Sequence, residues 1–377
     1  MSTLRVDPRL PERPRLAPGF DPLRRDGRCL QFGTDPRHAV LVEEVPPELA
    51  ARTTQLTGEF TTAQLLRQCA EGGGPPAALL ALLGQLAAEG VLDDAAHPRA
   101  AASRRHADED AAWRRRGGVG LTNGGLSRQD SSVVVIGDGR LAAAVIALLA
   151  VSGVGWVRPR TNGRVIREDV GRDLTEDSVG RDRAEATRAM VERLGTGTRT
   201  TARGGRRRPD LVLLADSLVP DPAVVAELVA DGVPHLLVTS AEGGMVGPLV
   251  VPGRSSCLEC ADRHRCLVDP QWPMLAAQLA GRTQRTDAAG TSAVAALAAA
   301  QSLTFLHGRA AAAPAVWNAA VEIDPFSARL RRHPRPPHPD CPCGARARTD
   351  RCGGVRIDRF PNQPPRRAAF PPAIARE

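Results

Sequence analysis

The apolar pattern divides the chain into two stretches of different rhythm. Between residues 26 and 98, the apolar runs CLQF and AVLVEE flank GTDPRH, a turn sequence containing Gly, Asp and Pro, and predict a β-hairpin. Three helical segments follow. One runs from Pro46-Pro47 to near Gln55. The second, AQLLRQCA, lies behind a capping Thr61 or Thr62. The third, AALLALLGQLAAE, is opened by Pro75-Pro76 and stopped by Gly90. A short strand, VLD, closes the series. Strands, three helices and a returning strand predict a small winged-helix-like α+β domain.

From Ser131 onward the rhythm becomes strand–helix alternation. SVVVI reads as a buried strand, residues 140–152 as a helix and GWVRP as a second strand. VGRDRAEATRAMVERL is an amphipathic helix. DLVLLA and PHLLVTS are strands around the helix DPAVVAELVADG. GMVGPLVVPG reads as a loop, the Ala-rich segment AGTSAVAALAAAQSLTFLHG as a long helix, and AVWNAAVEID and ARLRR as closing strands. The expected class is α/β, with a Rossmann-like, mostly parallel sheet flanked by helices. The expected divisions are a disordered segment 1–25, the small domain 26–98, a linker 99–130, the α/β domain 131–350 and a flexible tail 351–377.

Composition removes several functions. All 50 cationic side chains are Arg and Tyr is absent, so lysine nucleophiles, Schiff bases and phosphate-loop lysines are excluded. Aromatic residues at 3% give no stacking platform for single-stranded nucleic acid. The net charge is +8, yet residues 26–98 carry ten carboxylates against four arginines. That acidic unit opposes duplex binding and suits an extended peptide added beside AVLVEE. The N-terminus lacks the apolar run of a signal peptide. The stretch 141–157 is broken by Gly153 and Gly155 and reads as strand–helix–strand rather than a membrane span. A soluble, cytoplasmic protein is expected.

Four features are candidates to carry chemistry. Gly137-x-Gly139-x-x-Ala142 joins a buried strand to a helix, where backbone amides can hold a phosphate. The acid that ordinarily ends the second strand is missing, since that strand reads Val157-Arg158-Pro159-Arg160. Two readings stay open: Arg158 and Arg160 bind a ribose phosphate, or they are solvated arginines beside a decayed pocket. An NADP oxidoreductase would still lack a catalytic Tyr or Lys. Cys257-Leu-Glu-Cys260 and Cys341-Pro-Cys343-Gly344 can supply four thiolates to a tetrahedral, structural Zn²⁺, with His338, Cys266 and Cys352 open as substitutes for one ligand. Asp216 ends a strand at the carboxyl edge of the sheet, where it could hold Mg²⁺ or be only a turn acid. Cys266, between His264-Arg265 and Leu267, is either a nucleophile or a half-exposed thiol.

Residues 131–344 resemble the ThiF/MoeB/HesA superfamily of ubiquitin-activating-type adenylyltransferases. The resemblance rests on the glycine turn, on SVGRDRAEATRAMVERL, on the strand ending LLAD, on the first Cys pair and on the Ala-rich helix before DCPCG. It implies ATP/Mg²⁺ bound at Gly137, Gly139 and Ala142, with Asp216 as the catalytic acid. Arg183 stands where working members have a lysine, Arg167 and Arg172 are loose matches to the family's Asn-x-x-Arg-Gln arginine, and the second Cys pair is C-x-C rather than C-x-x-C. GPLVVPGRSSCLECADRHR, DPQWPMLAAQLAG and HPDCPCG are similar to an actinobacterial branch linked to thiazole/oxazole-modified peptides. There a PqqD-like element commonly precedes the ThiF-like domain. The branch implies a precursor or leader peptide as ligand, a YcaO-type enzyme as partner, and a homodimer as one assembly. The expected function is peptide presentation with a degenerate ATP site. The alternative is an active adenylyltransferase acting on the C-terminal carboxylate of a peptide or small ubiquitin-like protein.

Overall fold

The computed structural model describes residues 10–96, 128–345 and 366–369, apart from 26–27, 36–38, 203–207, 241–242, 286 and 308–312, together with residues 106, 109, 112 and 113. The chain forms two compact units, residues 1–123 with 357–377 and residues 124–356. Most of the expected linker and tail, Cys352 included, lies outside the described residues.

In the first unit, β1 (Pro14–Leu16) pairs antiparallel with β5 (Leu92–Asp94). Strands β2 (Pro22–Arg24), β3 (Leu30–Phe32) and β4 (Val40–Glu43) form an antiparallel sheet, and β13 (Arg366–Ala369) lies parallel to β4 on its other side. The Pro- and Arg-rich N-terminal segment thus contributes two strands where disorder was expected. Their three-residue lengths carry no readable period. Helix α1 (Pro47–Arg52) begins with Pro at its first position, where a missing N–H costs nothing. Helix α2 (Thr62–Glu71) starts with a full capping box between Thr61 and Gln64. Helix α3 (Pro76–Ala88) buries Leu79, Leu82, Leu83 and Leu86, one face at helical spacing. These leucines join Phe32, Val42, Leu49, Leu65 and Cys69 in one core.

The second unit is built on a seven-stranded sheet of order β12-β11-β10-β9-β8-β6-β7. Strands β6 (Ser132–Ile136), β7 (Trp156–Arg160), β8 (Leu211–Ala215) and β9 (His235–Thr239) are mutually parallel. The antiparallel strands β10 (Gly244–Val250), β11 (Ala319–Asp324) and β12 (Arg329–Pro334) extend it. The segment read as a loop is therefore strand β10. It is buried along nearly its whole length between β9 and β11, and its Gly and Pro sit where the register with β9 shifts. Such a break is where these residues are tolerated within a sheet.

Helices α4 (Arg140–Val151), α5 (Arg183–Leu194), α6 (Pro222–Ala230), α7 (Leu258–Val268), α8 (Trp272–Leu279) and α9 (Ala288–His307) complete the unit. Asp182 caps α5 through the Glu185 amide, and Gly195 ends it in the left-handed conformation. The 20-residue helix α9 is long and apolar enough to cross a membrane, but it packs on α4 and β10. Its buried positions, Val294, Ala295, Ala298, Ala299, Ser302 and Leu303 among them, follow one helical face. It is a core helix.

Candidate functional site

The glycine turn leaves β6 and opens α4, as the motif predicts, and its amides converge on one anion. That anion is a side chain of the protein. Asp216, the first residue beyond β8, accepts hydrogen bonds from the amides of Gly139 (2.9 Å), Leu141 (3.2 Å) and Ala142 (3.2 Å). Asp216 is 3% exposed and has a backbone φ of 65°. The two glycines are required by this approach. A Cβ on Gly139 would lie 2.5 Å from Asp216 Oδ1, and one on Gly137 would lie 2.6 Å from Oδ2. The helix N-terminus favours negative charge, which stabilises the carboxylate. Burial outweighs the amides, however, and pushes the Asp216 pKa up to about 6.

Asp138, between the two glycines, reaches across to the end of β7. Its Oδ1 accepts from the Thr161 hydroxyl (2.9 Å) and the Asn162 amide (2.6 Å). A carboxylate thus reaches the end of β7, contributed by the turn rather than by the second strand. Its only sequence signal was the x of Gly-x-Gly. Arg158 and Arg160 lie exposed on β7, which is a margin of the sheet.

Above Asp216 the chain is covered. Segment 280–284 crosses the residues leaving β8, with bridges Ser217–Thr283 and Val219–Ala280. The Gln284 amide donates to the Asp216 carbonyl at 2.6 Å, and that of Gly281 to the Val219 carbonyl at 2.9 Å.

Arg183 faces a different partner. Its side chain is 8% exposed, and its Nη1 lies 2.5 Å from Oδ2 of Asp169, itself 1% exposed. Its other two nitrogens also donate, Nε to the Asn162 carbonyl (3.1 Å) and Nη2 to the Arg164 carbonyl (2.7 Å). The guanidinium is a buried clamp tying the start of α5 to the 162–169 loop. Arg167 and Arg172 are on the surface, engaged with Glu176 and Asp173.

The two Cys pairs meet. Cys257 caps α7, where its Sγ accepts from the Cys260 amide at 3.4 Å. The Sγ atoms of Cys257 and Cys260, Cys257 and Cys341, and Cys260 and Cys343 are each 3.6 Å apart, and all four lie within 4.8 Å of one another. Tetrahedral zinc with Zn–S bonds of about 2.3 Å sets its sulfurs about 3.8 Å apart, so the donor set fits that ion. Burial drives the Cys341 thiol up to about 12 and raises that of Cys257 as well. Without a cation the Cys257 and Cys341 thiols stay protonated, whereas a bound divalent ion ionises them. His338 and half-buried Cys266 are outside the cluster.

Elsewhere in this unit, a small open pocket is lined by Leu237, Met245, Pro248, Asp262, Arg265 and Arg335 among others. Asp262 accepts from the Trp272 indole at 2.8 Å, and Arg265 stacks over the same ring at 4.4 Å.

Fold and site together define an α/β nucleotide-type unit with a closed glycine turn and a four-thiol clip, joined to a small strand-and-helix unit. By sequence, the chain matches no protein-family model and no curated protein. By structure, it has the fold of E. coli MccB. The ATP-bound MccB structure aligns with a TM-score of 0.62 and 16% identity, over 88% of this chain and 99% of that one. MccB with MccA aligns at 0.63 and 16% over the same shares. A heterocyclase in complex with substrate and cofactor aligns at 0.57 and 15%, over 88% of this chain and 40% of that one.

Proposed function

We propose that the chain binds a precursor or leader peptide through its first unit and presents it to a YcaO-type partner enzyme. In this reading the ThiF-like unit is a scaffold that has given up nucleotide chemistry. The observation that carries it is the Asp216 carboxylate seated on the amides of Gly139, Leu141 and Ala142. An ATP phosphate cannot share those donors with a resident anion, and like charges at that distance repel. Arg183 is turned to other partners, with each of its three nitrogens donating, to Asn162, Asp169 and Arg164. Support for a peptide-pathway role comes from the shared fold with MccB, solved with MccA, and with a heterocyclase solved with its substrate and cofactor.

Zn²⁺ would be held by Cys257, Cys260, Cys341 and Cys343. With all four positions taken by sulfur it would be structural, closing the 257–343 segment rather than activating water.

The test is pyrophosphate exchange into ATP with precursor peptides present, paired with calorimetry of peptide binding. Binding without exchange is expected. The alternative, an active adenylyltransferase, is favoured by the likeness to ATP-bound MccB. It requires exchange that is lost in Asp216→Ala and Arg183→Ala. Exchange of that kind would replace the present reading.

A further inference from the structure

In the first unit, one sheet margin is already in use. β4 has β3 on one side and β13 on the other, with Arg366, Arg367, Ala368 and Ala369 opposite Val40, Leu41, Val42 and Glu43. β4 is the central apolar strand of this sheet, with Val40, Leu41 and Val42 all buried. Its outer margin is the place where an extended ligand would add to the sheet. The occupant comes from the other end of the sequence.

We propose that the C-terminal segment Arg366–Ala369 is a built-in competitor for the β4 margin, a self-peptide that an incoming precursor must displace. The proposal rests on the peptide-presenting reading above and adds its regulation. Three features suit a displaceable occupant rather than a permanent strand. The pairing spans four residues only. It is parallel, the slightly weaker geometry, while an incoming chain is free to pair antiparallel. The sequence Arg-Arg-Ala-Ala has none of the β-branched or aromatic residues that pack well on a sheet. What holds such a strand in place is its tether. A segment on the same chain acts at an effective concentration in the millimolar range when its linker spans the sites, so weak pairing still fills the margin.

The test uses a fluorescein-labelled synthetic peptide of residues 357–377 as probe. It is titrated against the full chain, against the chain ending at Arg356, and against the full chain carrying Arg367→Pro with Ala368→Pro. Adjacent strand residues point their N–H groups to opposite sides, so the paired prolines remove the donor facing β4 whichever residue carries it. The two altered chains should bind the probe about tenfold more tightly than the full chain, and the same prolines placed in the probe should abolish binding. Equal binding to all three chains, or none to either altered chain, overturns the proposal. A shortened chain that binds this probe but no precursor peptide sinks the presenting role alone and leaves the competitor in place.

Discussion

Asp216 and Gly139 are held together by a 2.9 Å hydrogen bond that exists because residue 139 has no side chain. The consequence for stability is specific. Gly139→Ala should destabilise the second unit by about 1–3 kcal/mol, since the added methyl must displace a buried carboxylate. Asp216→Ala should cost a similar amount by leaving three buried amides without an acceptor. Urea denaturation checks both. Sulfate should stabilise Asp216→Ala more than the parent, because the vacated amides then form an open anion seat. Equal sulfate effects would show that the carboxylate does not fill that seat.

The raised Asp216 pKa makes a pH prediction. Its folded value, about 6, lies above the ordinary 3.8, so the folded state binds the extra proton between those values. Stability from this group is therefore fully present below pH 4 and is lost as pH rises through 6. Relative to Asp216→Asn, the parent should lose up to about 3 kcal/mol over that window. Thermal melts of the two proteins from pH 4 to 7 measure the difference, and parallel curves would contradict it.

Arg183 and Asp169 form a buried ion pair, so removing either alone strands a charge. Arg183→Ala and Asp169→Ala should each cost about 3–5 kcal/mol, and the double variant less than their sum. Arg183→Lys should rescue only part of the loss. An ammonium cannot reach Asp169, Asn162 and Arg164 together in the fork geometry of a guanidinium. Additive effects in the cycle would mean that the two side chains do not depend on each other.

Metal analysis should find about one zinc per chain, lost in Cys257→Ser and in Cys341→Ser with a clear fall in Tm. Chelation should act in the same direction. A metal-free parent with unchanged Tm would remove the clip.

Much of the fold was legible in sequence because it is written in local pattern. The β3–β4 turn, the Thr61 cap of α2, the proline start of α3 and the SVVVI strand all follow from residues within a few positions of one another. The Cys tetrad was legible for a different reason, since close-spaced thiol pairs have few other uses. What sequence did not display is closure in space. β10 reads as a loop because Gly and Pro dominate its middle, and only burial between β9 and β11 makes it a strand. That Asp216 fills the glycine turn, and that Asp138 bonds the end of β7, depend on strands brought together over more than twenty residues. Arg183 could be placed opposite a family lysine, but its partner Asp169 could not be foreseen. The largely exposed loop that presents Asp169 has no periodicity to mark it.

Both outer strands of the seven-stranded sheet are guarded by fixed positive charge, Arg158 and Arg160 along β7 and Arg329, Arg331 and Arg332 along β12. Guanidiniums that never neutralise deter another backbone from zipping onto either flank. The small unit takes a strand from a distant part of the sequence onto its β4 margin, whereas the large one denies such access at both flanks, and copies that associate should do so through helices or loops.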